Sequence, residues 1–160
     1  VISKNGVGTL VTDTDFNRLT DVYDMRLKVA ELIGCMNPVS IESKQIQQLQ
    51  LLQQRAEKLK ATQCNLEELG RINHQLHYLI AQLIGNSALK DLYDLYYYQT
   101  TRVWYQLMSL HWDSEVQALK EEIAELIAAM HRNDIIAVGY IKRNYIARTI
   151  HSILQQQSEH

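Results

Sequence analysis

Asn73-His74-Gln75-Leu76-His77-Tyr78-Leu79-Ile80-Ala81-Gln82-Leu83-Ile84-Gly85-Asn86 carries apolar residues at helical intervals, with two polar residues among them. Wound as a helix, it stacks Asn73 and His77 one turn apart, on the same face as Leu69, Leu76, Ile80 and Ile84. Glu67, Arg71, His74 and Gln82 fall on the wet side. The helix is expected to stop at Gly85 in a left-handed conformation, with Asn86 capping the next one. Two polar groups thus point into a core. Such a pair is ordinarily a satisfied core pair, so its meaning depends on the rest of the chain.

Outward from this stretch the pattern stays helical. Asp13 or Thr14 can cap a first helix with the stripe Phe16, Leu19, Val22, Tyr23, Arg26, Ala30 and Ile33, ending near Gly34 and Pro38. Arg26 lies inside that stripe. Snorkelling is the ordinary explanation of such an arginine, and an anion-binding guanidinium facing a cavity is the functional one. Ser40 and Ser43 open a Gln-rich second helix with Ile41, Leu49, Leu52, Ala56 and Leu59 inward, and Asn65 starts the third. The fourth, Ser87 to Trp112, spreads tyrosines and Trp104 around its circumference, which calls for contacts on several sides. Arg102 within it needs a partner if buried. Asp113 or Ser114 caps the fifth helix, with Val116, Leu119, Ile123, Ile127 and Met130 inward. Asn133 or Asp134 caps the sixth, with Val138, Ile141, Tyr145 and Thr149 along one side, Ile135, Ile146, Ile150 and Leu154 along another, and a frayed tail from Gln155.

The fold class expected is therefore all-α, an antiparallel bundle of about six helices over residues 13–160. Only residues 1–12 read differently. β-formers flank a Gly-containing turn there, a hairpin signal. A lone hairpin is marginal in water, so residues 1–12 are expected to be the remnant and linker of a missing N-terminal domain.

Composition bounds the function. The chain has 160 residues, 46% of them apolar and 21% charged, with net charge -2. That balance argues against this chain gripping nucleic acid by itself, since neutralising phosphates needs a basic surface. No run approaches the roughly 18 uncharged apolar residues of a membrane span. Cys35 and Cys64 lack CxxC spacing and read as reduced thiols, so a cytoplasmic location without membrane partners is expected. An enzyme is not expected, because no nucleophile with a placed base, Gly-rich phosphate loop or paired catalytic carboxylates stand out.

The order of these pieces resembles the C-terminal effector-binding (FCD) domain of GntR-type transcription regulators, the FadR branch and its six-helix VanR-like subgroup. That family's Asp-x-x-aromatic-His run, followed nine positions later by Asn, is matched by Asn73-His74-Gln75-Leu76-His77 and then Ile84-Gly85-Asn86. Arg26 to Glu31 resembles its first helix, and Glu122-Ile123 with Met130 to Ala137 resembles its later runs. The hairpin from Lys4 to Val11 is similar to the wing of its winged-helix DNA-binding domain. The resemblance implies a homodimer that contacts DNA only through the missing domain and senses a small metabolite, often a carboxylate.

Many relatives hold a divalent metal, and the positions matching its ligands are Asn73, His77, Ile123 and Tyr145. Asn is a weak ligand, Ile none, and Tyr would have to ionise. No metal or other cofactor is therefore expected. The effector site is expected in a metal-free cavity formed by Arg26, Asn73, His77, Ile123, Tyr145 and Arg102. The alternative is a ligand-free helical dimerisation module, which a stabilising ligand would distinguish.

Overall fold

The computed structural model describes residues 2–3, 9–10 and 13–159, with side chains from Asp15 onward. Ile2–Ser3 (β1) and Thr9–Leu10 (β2) pair antiparallel, Ile2 opposite Leu10 and Ser3 opposite Thr9. The Gly-containing turn and the capping side chains of Asp13 and Thr14 lie outside the described residues. Six helices follow: α1 (Asp13–Glu31), α2 (Ser43–Glu57), α3 (Leu66–Ala81), α4 (Ser87–Leu110), α5 (Trp112–His131) and α6 (Ile135–Ser158). The domain is an all-α bundle, as the periodicity implies.

Successive helices pack together from α2 to α3, α3 to α4 and α5 to α6. α1 packs on α4 and α6, α5 on α2 and α6, and α3 bridges α2 and α4. The expected stripes turn inward: Tyr23, Ala30, Leu49, Ala56, Leu69, Leu76, Ile123 and Val138 are wholly buried in one core. Burying such side chains stabilises a domain by roughly 1.5–3 kcal/mol each for the larger ones. Leu154, expected inward on α6, is 43% exposed instead.

The helix ends correct several expectations. Asn65, Asn86 and Asp134 accept from the amides of Glu68, Leu89 and Ala137 as capping residues do. α2 is capped by Glu42 rather than Ser40, in a reciprocal box with Gln45, whose side chain accepts from the Glu42 amide at 2.6 Å. Neither Asp113 nor Ser114 caps α5. The chain breaks two residues before Asp113, at His111, and Trp112 anchors the corner by donating its indole N–H to the Lys60 carbonyl at 2.8 Å.

Asn133 ends α5 instead of starting α6. Its φ is 55°, its amide donates to Met130, and the next amide reaches Ala129, the paired bonds of a Schellman end. α6 runs to Ser158, so residues 155–158, expected as a frayed tail, continue the helix.

Gly85 does not take the left-handed backbone. α3 already ends at Ala81, and a Cβ on Gly85 would lie 1.7 Å from the Asn37 carbonyl oxygen. Close approach of the connection after α1 demands glycine there. The neighbouring amide of Val39 donates to the Leu83 carbonyl at 2.9 Å, tying that connection to the end of α3.

Candidate functional site

Inward polar residues from α1, α3, α4, α5 and α6 converge on one cavity of about 60 Å³. Its lining includes Arg26, Asn73, His77 and Tyr145, four of the six residues singled out in the sequence. The other two do not join them. Ile123 is wholly buried in the apolar core, and its neighbour Glu122 faces the cavity instead. Arg102 is exposed, one residue beyond the cavity-lining Thr101.

Arg26 is half-buried, and its helix position fixes its direction toward α4. Its Nη1 donates to the Thr100 hydroxyl at 2.9 Å. The guanidinium lies 5.3 Å from the centre of the Tyr23 ring and 5.9 Å from that of Tyr97. These are favourable cation–π positions, yet among the described residues no carboxylate pairs with it. Close by, the buried Tyr23 hydroxyl has no hydrogen-bond partner among the described residues, although Arg26 and Thr100 face it.

His77 is held on three sides. Tyr93 and Tyr97, one turn apart on α4, sandwich its ring at centroid distances of 4.4 Å and 3.8 Å, both nearly parallel. Its Nε2 lies 2.7 Å from Asp94 Oδ1. Burial drives the imidazole down to about 4 against the opposing pull of Asp94, so it is neutral at pH 7. Beside it, Asn73 Nδ2 donates to the Tyr97 hydroxyl at 3.3 Å.

Across the cavity, Lys142 of α6 donates to Glu122 of α5 at 2.5 Å, with both residues buried. This pair, which lines the cavity, and Asp94, which bonds His77, are features of the candidate site that sequence reasoning missed. Helical spacing does place Glu122 between Leu119 and Leu126, and Lys142 between Val138 and Ile146. Their pairing depends on how α5 and α6 register.

The donor set does not fit a divalent transition metal. His77 Nε2 is already engaged, Ile123 is in the core, and desolvation with Glu125 pushes the Tyr145 hydroxyl up to about 12, far from ionising. Among the described residues no three His, Cys, Asp or Glu side chains cluster as metal ligands.

The geometry therefore offers a small polar chamber with the Arg26 guanidinium, the Lys142–Glu122 ion pair, neutral donors and aromatic walls. A match to the family model for the FCD domain spans residues 21–148, from α1 through most of α6. The chain belongs to the FCD domain family. Comparison with the curated proteins and with the solved structures returned no match. FCD domains are effector-binding regulatory domains of GntR-type regulators, and the cavity lies within the matched span apart from Thr149 at its edge. No helix among the described residues is long and apolar enough to cross a membrane.

Proposed function

We propose that this FCD domain senses a small carboxylate metabolite in its central cavity without a metal, and that it does so as the homodimeric regulatory half of a bacterial transcription regulator. One observation carries the reading: Arg26 brings a guanidinium to the cavity and is paired with no carboxylate among the described residues, the cavity's own Glu122 being bonded to Lys142. A half-buried cation of this kind gains most from an anion that completes its hydrogen bonds. His77, Tyr145 and Asn73 stand on the same cavity as neutral hydrogen-bonding groups.

The volume limits the ligand. A water needs at least 10–15 Å³ of such space, so the chamber itself suits a few heavy atoms. A second cavity of about 130 Å³ shares Asn73, Trp104, Glu122, Tyr145 and Thr149 with it, and Met108 and Leu119 give that compartment apolar walls. A carboxylate at Arg26 with a short apolar body extending there fits both.

Regulation requires that the ligand bind two arrangements of the dimer with different affinity. α4 links the two requirements: Tyr93, Tyr97 and Thr100 face the cavity, while Leu95 and Tyr98 are 48% and 58% exposed on its other side. DNA recognition is assigned outside the helical domain, because a chain of net charge -2 is poorly suited to neutralising phosphates. The test is thermal unfolding with a panel of small carboxylates. At least one should raise the midpoint for the wild type and not for Arg26→Ala; no shift with any of them would favour a ligand-free dimerisation module.

A further inference from the structure

The cavity holds more charge than a single arginine, and the balance of that charge is informative. Arg26 and Lys142 bring two cations; Glu122 brings one anion and is bonded to Lys142 at 2.5 Å. The other lining groups add nothing at pH 7. His77 is neutral between its two rings, and burial raises the hydroxyls of Tyr93, Tyr97 and Tyr145 above their ordinary range. Asp94 is bonded to His77 from outside the lining, and its side chain is 41% exposed to screening solvent.

One positive charge is left unmatched. We infer that the buried Glu122–Lys142 pair sets the ligand's charge, so that the cavity accepts a small monoanion and discriminates against dianions. This rests on the reading of the cavity as the effector site.

A second carboxylate on the ligand could be met only by Lys142, which would have to leave Glu122. That exchange strands a buried glutamate without its partner. The adjoining compartment offers no relief, because Glu115 and Glu122 both line it. Its one guanidinium, that of Arg148, is engaged by Glu121 at 3.4 Å and stacked over the Tyr145 ring. Glu122 thus acts as a built-in counter-anion that masks Lys142.

Calorimetric titration of butyrate and succinate, matched in chain length, tests this on the wild type, Glu122→Gln and the double variant Glu122→Gln/Lys142→Met. The wild type should prefer butyrate by roughly tenfold or more. Glu122→Gln leaves two unmatched cations and should reverse the order. The double variant, back to one cation, should restore it. If Glu122→Gln does not fold, Lys142→Gln tests the balance from the other side: Arg26 then faces Glu122 alone, and butyrate affinity should fall by about tenfold.

Equal binding of both acids to the wild type, lost together on Arg26→Ala, overturns the charge rule and leaves the effector site standing. An acid preference that Glu122→Gln does not move, or butyrate affinity that Lys142→Gln does not move, overturns the rule as well. Binding of neither acid to the wild type sinks the site and the rule together.

Discussion

His77 and Asp94 meet across the α3–α4 interface with Nε2 and Oδ1 2.7 Å apart, and the imidazole is nevertheless held neutral by burial between two tyrosines. Its folded value of about 4 lies below its ordinary 6.5. Between those values the unfolded chain binds a proton that the folded chain does not. His77 therefore contributes stability that is fully present above about pH 6.5 and is lost as pH falls toward 4. The loss should reach roughly 2–3 kcal/mol. Urea midpoints of the wild type measured from pH 7 to pH 4.5 should drop more steeply than those of His77→Gln. Parallel profiles would show that His77 is not buried neutral.

Gly85 and the Asn37 carbonyl compete for the same space. Gly85→Ala must push back the connection between α1 and α2, and should cost roughly 1–3 kcal/mol through overpacking. A denaturation midpoint within error of the wild type would contradict the close approach.

The Glu122–Lys142 pair should behave as a buried ion pair. Removing one charge, as in Lys142→Met, strands Glu122 and should cost about 3 kcal/mol or more. Combining it with Glu122→Gln should recover most of that loss, because neither buried charge remains. If the two substitutions instead cost independent amounts that add, the pair is not energetically coupled.

Exposed apolar residues on α4 mark the expected dimer surface. Sedimentation should give a dimer for the wild type, and Leu95→Glu should weaken it by about a hundredfold, the effect of placing a charge in an apolar contact. A wild-type monomer at high concentration would remove this part of the account.

Much of this molecule can be read from local spacing. Periodicity alone turns Arg26, Asn73, His77 and Tyr145 inward, because a helix fixes which residues share a face. It cannot say what they meet. Ile123 and Glu122 are adjacent, and only the packing of α5 against α2 and α6 decides that Ile123 enters the core while Glu122 reaches the cavity. Asp94 reads as an ordinary surface carboxylate until α3 lies beside α4. Gly85 looks like a helix terminator from its neighbours, whereas its reason for being glycine is a backbone carbonyl at position 37, far away in sequence. The misassigned caps at Ser40 and Ser114 have the same origin: several polar residues stand near each boundary, and the backbone path chooses among them.

The central claim is that Arg26 anchors an anion inside the bundle. The most direct measurement is a crystal structure of the domain with a bound small monocarboxylate. A carboxylate oxygen should lie about 2.7–2.9 Å from an Arg26 guanidinium nitrogen, with Lys142 still on Glu122. A ligand seated elsewhere, such as the surface groove between α2 and α3 beside Leu51 and Tyr78, with Arg26 bonded only to Thr100, would contradict it.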